Sequence, residues 1–350
     1  MTKSVKKLLA VLNGEKQWPP PIWLMRQAGR YLPEYRALRS KARDFLHFCY
    51  SPELATEATL QPIRRFELDA SIIFSDILVI PHALGRDVRS VENEGPQLEP
   101  LKSGDRLPEL DTDKFAAHLA PVYEALRQTR AALPPSTTLI GFAGAPWTLA
   151  CYMIDGRSRK DANGQAHFDM ALQWVQQRPE HLAQLFELFS DAIVLHCVAQ
   201  IDAGAEVIQL FDSWAGLLAP DNLTRWSIEP LIQIARNIKS LRPGTPVIVF
   251  PRQTGELTKL YAGSGAFNAI SIDHAVKLSF ARQELQKHCA VQGNLDPLML
   301  VEGGVAMESA ARHILDELRG GPFVFNLGHG VVPQTPPENV ARLVALVRSA

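Results

Sequence analysis

The sequence is poor in cysteine, and the few it has are not grouped. The four cysteines, Cys49, Cys151, Cys197 and Cys289, are scattered over 350 residues without a CxxC pair. This distribution does not indicate a disulfide framework or a cysteine-rich metal module. A reducing compartment, the cytoplasm, is therefore the expected location.

Long hydrophobic runs and a strong net charge are also missing. The longest apolar candidate, residues 70–80, is interrupted by Asp76 and is too short to span a membrane. The formal net charge is −1, so no overall field attracts nucleic acid or an acidic membrane surface. Neither partner is expected, and an anionic substrate would need a local cluster of positive charge.

What remains is an ordinary globular composition, with 46% hydrophobic and 21% charged residues. The basic N-terminus lacks the arginines of a transit peptide, carries Glu15 and has only a short apolar segment. We therefore predict one domain over residues 1–350, with a first helix in residues 1–18 as an extension.

Eight apolar, strand-like segments are each followed by a helical pattern, with an average period of roughly 44 residues, as in a (β/α)₈ TIM barrel. Continuous apolar strands are typical of a parallel sheet that is buried on both faces. The segments are residues 22–25, 69–80, 137–144, 205–211, 246–250, 269–272, 288–292 and 323–327. The alternative is a doubly wound open sheet, but no GxGxxG follows an early strand.

Helical patterns and punctuating residues fill the intervals between the strands. The predicted helices are residues 51–65, 111–131, 168–203 with a break near Pro179, 222–240, 259–262 and 340–347. Residues 85–108 are rich in glycine, proline and charge and are expected to form a long excursion. Residues 155–165 are polar and contain glycine, which predicts a mobile loop or lid.

Residues 21–39, PIWLMRQAGRYLPEYRALR, combine a short strand with two arginines on a glycine-containing turn. Arg26 and Arg30 offer planar forks of donors that stay charged, which suits the binding of carboxylates or phosphates. The alternative is that Arg30 pairs with Glu34 on a helix turn and that Arg26 is solvated.

Polar residues gather at the expected carboxyl ends of the strands, where barrel enzymes carry their sites. Arg26, Asp76, Ser213 and His329 all fall at such ends. Each also has a simpler interpretation: a solvated arginine, a helix cap, a turn serine and a turn histidine. Tyr152, next to the proposed lid, is a further candidate, with amphipathic packing as its alternative.

Three motifs, RQAGRYLPEYR, FSDIL at residues 74–78 and NLGHG at residues 326–330, resemble the uroporphyrinogen decarboxylase family over residues 21–336. The resemblance implies an enzyme that removes the four acetate carboxyls of uroporphyrinogen III, giving coproporphyrinogen III and CO₂ in haem and chlorophyll biosynthesis. It also implies a homodimer that works without a metal or an organic cofactor.

The resemblance further assigns roles to individual residues. Asp76 holds the pyrrole nitrogens and acts in catalysis with Arg26 and Arg30, which hold carboxylates and donate the proton or position its donor. The implied substrate-binding residues are Arg26, Gln27, Ala28, Gly29, Arg30, Phe45, Asp76, Tyr152, Ser213 and His329. Tyr50 stands where the family often has a basic residue, so Lys41 or Arg43 would have to supply a peripheral carboxylate contact.

Two other function classes remain open at the level of sequence. A zinc-dependent methyltransferase of related fold would need a His-x-Cys pattern with a later cysteine, whereas His196 directly precedes Cys197 and His288 directly precedes Cys289. A non-catalytic tetrapyrrole-binding module would keep the arginines but would not need Asp76.

Overall fold

The computed structural model describes residues 6–91, 95–102, 104–160 and 166–350. In chain order the strands are β1 (Ala70–Ile72), β2 (Val88–Val91), β3 (Gly95–Leu98), β4 (Thr138–Gly144), β5 (Arg159–Lys160), β6 (Ala166–His167), β7 (Val207–Asp212), β8 (Val247–Pro251), β9 (Ala269–Ser271), β10 (Ala290–Leu295) and β11 (Phe323–Leu327). Seven of them form one curled parallel sheet in the order β1-β4-β7-β8-β9-β10-β11. The predicted α/β class and parallel sheet are therefore confirmed.

Sixteen α-helices of the described residues surround this sheet. They are α1 (Lys7–Leu12), α2 (Pro33–Arg39), α3 (Phe45–Cys49), α4 (Pro52–Phe66), α5 (Val79–Ala83), α6 (Thr112–Ala132), α7 (Pro146–Asp155), α8 (Asp169–Gln177), α9 (Pro179–Asp202), α10 (Pro220–Leu223), α11 (Glu229–Leu241), α12 (Thr258–Ala262), α13 (Leu278–Phe280), α14 (Pro297–Glu302), α15 (Gly304–Leu318) and α16 (Pro337–Arg348). Several begin with proline, whose missing N–H is not needed in the first turn. Shorter helical turns cover Ala215–Leu217, Thr224–Ile228, Gly255–Leu257 and Ala281–Leu285.

The first predicted strand, residues 22–25, forms only an isolated parallel bridge between Ile22 and Phe325. Pro21 has no N–H to give to a sheet, and the chain turns directly afterwards, where Gln27 N donates to Leu24 O at 2.9 Å. The segment still contacts both edges of the sheet. Phe325 N donates to Pro21 O at 2.9 Å, and Asp69 N donates to Ile22 O at 3.0 Å.

The predicted strand over residues 69–80 is wrong beyond Ile72, where the sheet pairing of β1 ends. Phe74 N donates to Thr59 Oγ1 of the preceding helix at 2.9 Å, which draws the chain away from the sheet. The apolar residues that follow continue into helix α5, so they are buried by a helix rather than by a strand. Asp76 consequently lies in the loop beyond the strand.

The N-terminal helix α1 packs against the amino-terminal half of the sheet. Its buried residues Leu8, Val11 and Leu12 share an apolar cluster with residues near the strand starts, among them Ala70, Val207, Ala269, Ala290 and Val324. Lys6 Nζ lies 2.6 Å from Glu206 Oε1, and Arg130 Nη1 lies 2.7 Å from Glu206 Oε2. The predicted first helix is confirmed for residues 7–12, and it closes the end of the sheet opposite the loops that carry the site residues.

Helix α9 is the one described helix that is long and apolar enough to cross a membrane by length and composition alone. Ten of its residues are buried, including Leu185, Phe189 and Ile193, which belong to the main apolar cluster. A buried core helix of a folded protein has the same composition.

Both predicted excursions contain antiparallel pairs. Strands β2 and β3 pair within the first, and β5 and β6 pair at the edges of the second. Residues 92–94, 103 and 161–165 lie outside the described residues, so the predicted lid over residues 155–165 stays a prediction. The excursions touch, because Leu98 N donates to Gly156 O and Leu101 N donates to Met153 O, both at 2.7 Å.

Candidate active site

The predicted site residues meet at the carboxyl ends of the parallel strands. Ser213 directly follows β7 and His329 lies two residues after β11. Arg26 stands in the turn after the Ile22 bridge. Burial raises the pKa of Asp76 and lowers that of His329, and the Arg26 charge opposes the first change and adds to the second. Residues from distant parts of the chain therefore share one electrostatic environment.

The arginine turn is built around a buried amide. Gln27 is fully buried; its Oε1 accepts from Leu24 N at 3.1 Å and its Nε2 donates to Ala70 O at 3.2 Å. Tyr31 Oη donates to Gln27 O at 2.8 Å. These contacts hold the turn from within, while the predicted contact of Gln27 with a substrate stays a prediction. Ala28 and Gly29 are half-buried on the same turn.

Arg26 has a left-handed backbone with φ of 60°, a conformation that a side chain of this size adopts only where its surroundings impose it. Those surroundings are the end of β11 and the loop that follows it. Met25 N donates to Asn326 Oδ1 and Val331 N donates to Met25 O, both at 2.9 Å. A Cβ on Gly330 would lie 2.3 Å from Arg26 Cδ, so the arginine stem runs directly over the glycine.

Neither arginine is neutralised by a carboxylate. The side chains of Arg26 and Arg30 are exposed and make no hydrogen bond or ion pair with a described residue. Glu34, the alternative partner of Arg30, instead lies 3.2 Å from Arg65 Nη1. Two guanidiniums at a strand end with free donors are suited to bind anions.

Asp76 is half-buried and keeps an unused oxygen. Its Oδ1 accepts from Leu78 N at 2.8 Å, just before helix α5, while no described residue donates to Oδ2. Burial raises the pKa of Asp76, and the Leu78 N–H and the Arg26 charge oppose that rise. The local turn contact is therefore real, but it occupies only one side of the carboxylate.

An aromatic cluster includes Tyr152, on which the Asp76 charge acts. Tyr152 on α7 packs against Phe168 and Trp214, with ring centroids at 5.3 and 6.4 Å, and Phe168 lies 5.0 Å from Trp214. Burial, followed by the Asp76 charge, raises the pKa of Tyr152 to about 12. Its hydroxyl therefore stays protonated near neutral pH and is able to donate.

Ser213 rests on a buried polar network that sequence reasoning missed. Asp212, the last residue of β7, accepts from Thr148 Oγ1 at 2.7 Å and from Ser227 Oγ, which lies 2.6 Å from Tyr261 Oη. Burial raises the pKa of Asp212 to about 6, against the two hydroxyl donors. The network fixes the chain beneath Ser213. The one feature of this network that is visible in the sequence is Asp212 at the end of an apolar strand.

His329 lies in a positive environment. It is half-buried, 6.4 Å between ring centroids from Phe250. Burial, then the charges of Arg26, Arg252 and His274, lower its pKa to about 3. Arg252 was also missed, although its position directly after β8 matches that of the predicted site residues. His329 is therefore a neutral ring near pH 7.

The remaining candidates lie around helix α3. Phe45 is half-buried, with its ring 6.1 Å from Phe74. Tyr50 Oη lies 3.1 Å from His82 Nδ1, so its hydroxyl is engaged within the protein. Lys41 and Arg43 are exposed. Their proposed contacts with a substrate stay predictions.

The cysteine–histidine pairs do not assemble a metal centre in the part of the chain that the structure describes. No group of three or more histidine, cysteine or acidic side chains there could hold a metal ion. His196 and Cys197 are both buried, and Tyr123 Oη lies 3.1 Å from His196 Nδ1. His196 and Cys197 are therefore part of the packed interior, whereas His288 is exposed and Cys289 is half-buried.

Solved structures share the architecture at low sequence identity. A methyltransferase from Methanosarcina mazei superposes with a TM-score of 0.77, covering 98% of this chain and 97% of that protein at 19% identity. A putative vitamin-B12-independent methionine synthase from Listeria monocytogenes reaches a TM-score of 0.52 at 12% identity, covering 95% and 96% of the two chains. These likenesses concern the fold alone.

Sequence comparison is far more specific. The relatives named uroporphyrinogen decarboxylase from Rhodospirillum rubrum and Sinorhizobium fredii are 51% and 50% identical, each over 99% of this chain and 98% and 99% of their own lengths. That from Agrobacterium fabrum is 49% identical over 99% of this chain and 98% of its length. The family model for uroporphyrinogen decarboxylase (URO-D) matches residues 3–350. This chain therefore belongs to the uroporphyrinogen decarboxylase family.

Proposed function

We propose that this protein decarboxylates uroporphyrinogen III to coproporphyrinogen III, releasing the four acetate carboxyls as CO₂. The observation that carries this proposal is the half-buried carboxylate of Asp76 near arginines. No described residue donates to its second oxygen, and no described acid pairs with Arg26 or Arg30. The substrate has the complementary charge pattern: pyrrole N–H donors at the centre and carboxylates around the rim. Membership in the family supports the same reaction.

Asp76 is proposed to hold the centre of the folded macrocycle. An ionised carboxylate only accepts hydrogen bonds, and its free Oδ2 suits the converging pyrrole N–H groups. Its pKa is raised by burial in the free protein, so the N–H groups and the cation formed during reaction would stabilise the ionised form. The residue therefore binds more strongly as positive charge develops.

The chemistry needs only an electron sink next to the leaving carboxylate. A proton adds to the pyrrole carbon, and the bond between the acetate methylene and its carboxylate then breaks, with the electron pair passing into the cationic ring. CO₂ leaves, a proton adds to the methylene to form a methyl group, and the ring proton is returned. The net change consumes one proton for each CO₂, and Asp76 stabilises the cation electrostatically.

The other site residues are proposed to place the rim of the macrocycle. Arg26 and Arg30 bind carboxylates through their guanidinium forks. Both also act in catalysis by positioning the proton donor. The protonated Tyr152 hydroxyl, Ser213 and the neutral His329 ring donate single hydrogen bonds. Gln27, Ala28 and Gly29 contribute the arginine turn, and Phe45 packs against the macrocycle.

The proposal extends to the architecture and setting of the enzyme. The hydrogen bonds from Phe325 N to Pro21 O and from Asp69 N to Ile22 O support a closed, eight-stranded (β/α)₈ TIM barrel in a single domain over residues 1–350. We further propose a cytoplasmic homodimer that uses no metal or organic cofactor. A non-catalytic tetrapyrrole-binding module would give no reason for Asp76 to keep an unused oxygen.

The decisive test is anaerobic incubation of the purified protein with uroporphyrinogen III, followed by separation of the products by carboxyl number. We expect seven- to four-carboxyl products and matching release of CO₂, and the same rate after chelation and dialysis. A zinc-dependent methyltransferase would lose activity on chelation and regain it with zinc. Absence of all decarboxylated products would refute the proposal.

A further inference from the structure

Arg252 occupies the carboxyl end of β8, and its backbone is fixed from three sides. Arg252 N donates to Asp212 O at 3.1 Å, and Gly216 N donates to Arg252 O at 3.0 Å. The next residue, Gln253, donates its N–H to Asp273 Oδ2 at 2.7 Å. The position is therefore rigid and belongs to the mouth of the site.

The Arg252 side chain is half-buried and makes no hydrogen bond or ion pair with a described residue. Burial lowers its pKa, the charge of Asp273 raises it, and the charge of Arg26 lowers it. Both Asp273 oxygens already accept backbone N–H groups, Oδ2 from Gln253 and Oδ1 from Ala275. Asp273, whose charge acts on Arg252, is thus engaged in hydrogen bonds of its own loop.

Arg252 and Arg26 come from loops that are remote in sequence, yet both lie near His329. The Arg26 stem covers Gly330, the Phe250 ring lies 6.4 Å from the His329 ring, and both arginine charges lower the pKa of His329. The positive charges of Arg26 and Arg252 repel each other, the Asp273 charge opposes this effect on Arg252, and no described acid forms an ion pair with Arg252. An anion placed between them would remove that repulsion and accept hydrogen bonds from both forks. Such an arrangement is characteristic of a binding site rather than of a structural ion-pair network.

We propose that Arg252 is a third substrate-binding arginine, which holds a rim carboxylate of the tetrapyrrole together with Arg26 and His329. The inference rests on the proposed function and assigns the substrate a contact at the end of β8, whereas Asp76 lies in the loop after β1. A rim carboxylate that is held by Arg252 does not react there, so it stays bound before and during the chemical step. Loss of Arg252 therefore weakens substrate binding without slowing the chemistry.

The first test compares steady-state kinetics of Arg252→Gln and Arg252→Lys with uroporphyrinogen III. Losing a charge-assisted bidentate contact should raise KM by about 10- to 100-fold for Arg252→Gln, with kcat nearly unchanged. Arg252→Lys should give an intermediate KM, because it keeps the charge but not the fork. The matched control is Arg242→Gln: Arg242 precedes β8 at its other end and pairs with Asp202 at the surface.

The second test needs no tetrapyrrole. Succinate, a simple dicarboxylate, is titrated against protein with isotopically labelled histidine while the His329 resonance is followed. Succinate binding should shift the His329 resonance in the unaltered protein and in Arg242→Gln. In Arg252→Gln, the affinity for succinate should be lower. In the absence of succinate, Arg252→Gln should also raise the pKa of His329.

The outcomes separate the two proposals. If the unaltered protein shows no decarboxylation but succinate binding depends on Arg252, the anion site stands and the proposed function fails. If decarboxylation proceeds with unaltered KM in folded Arg252 variants, the assignment of Arg252 is overturned. Should Arg252→Gln fail to fold, Arg252→Lys decides by the same criterion. Succinate binding that is equal in the unaltered and variant proteins also contradicts the assignment.

Discussion

At the scale of single residues, the site separates charge for binding from charge for chemistry. The arginines offer donors, and Asp76 offers one acceptor oxygen, that no described residue uses. Each type matches one part of the proposed substrate. Substitutions that preserve shape but change charge can therefore test the roles one at a time.

Asp76→Asn should reduce kcat by about 10²- to 10³-fold while leaving substrate binding nearly unchanged, as expected for loss of one preorganised electrostatic contact. The amide keeps the shape and one acceptor but removes the charge that stabilises the ring cation. Asp76→Glu should retain part of the activity, because it displaces the carboxylate by one methylene. Full activity of Asp76→Asn would reduce Asp76 to the turn contact with Leu78.

Replacing Arg26 or Arg30 with lysine should impair binding or turnover, because lysine keeps the charge but cannot form a bidentate fork. Neither side chain has a partner in the described residues, so the melting temperature should change by less than about 1 °C, equivalent to roughly 0.5 kcal/mol in a protein of this size. Kinetics and thermal melting of both variants would test this. Normal kinetics with a large loss of melting temperature would instead make the arginines structural.

At the scale of secondary-structure elements, much of the fold follows from patterns in the sequence. Continuous apolar runs located seven strands, and the helices predicted at residues 51–65 and 111–131 are confirmed to within one residue. The failures have local causes. Pro21 before the first segment has no N–H to pair with a sheet, and the chain turns directly after residues 22–25. The apolar residues after Ile72 are buried by a helix instead of by a strand.

The candidate site divides in the same way. A polar residue at the end of an apolar strand is visible in sequence, and that signal located Arg26, Asp76, Ser213 and His329 at the mouth. The network around Asp212 was not visible, because Thr148 and Ser227 lie 64 and 15 residues away and meet it only after folding. Arg252 also directly follows an apolar strand, but it lies in none of the three motifs that resemble the family.

Helix α1 offers a test of an element far from the site. Leu8 is fully buried against the strand starts, so Leu8→Ala should lower the free energy of unfolding by about 2–5 kcal/mol. Leu9→Ala is the matched control, since Leu9 is only partly buried against the same cluster. Urea unfolding would measure both, and kcat at 25 °C should be normal in each. Equal destabilisation by the two substitutions would contradict a specific packing role for Leu8.

At the scale of the whole molecule, buried neutral histidines link stability to pH. Burial lowers the pKa of His196 to about 3 in the folded protein, while an unfolded chain binds that proton near pH 6.5. Below about pH 6.5 the unfolded state therefore binds a proton that the folded state does not, and stability falls as pH falls through the window down to about 3.

His196→Gln removes this contribution while keeping a polar group near Tyr123. Between pH 7 and pH 5, the variant should lose about 2 kcal/mol less free energy of unfolding than the unaltered protein does. His313→Gln, at an exposed position, is the control and should behave like the unaltered protein. Urea unfolding at the two pH values gives the comparison. An identical loss in all three proteins would exclude His196 from the acid response.

Gly330 deserves a different consideration when variants of this protein are interpreted. The space that a methyl group would need there is already filled by the Arg26 stem. An alanine at position 330 changes no charge, donor or acceptor, yet it has to displace a guanidinium that the site depends on. Scores based on chemical similarity rank Gly330→Ala as a mild substitution. Its phenotype should nevertheless resemble that of a substitution of Arg26.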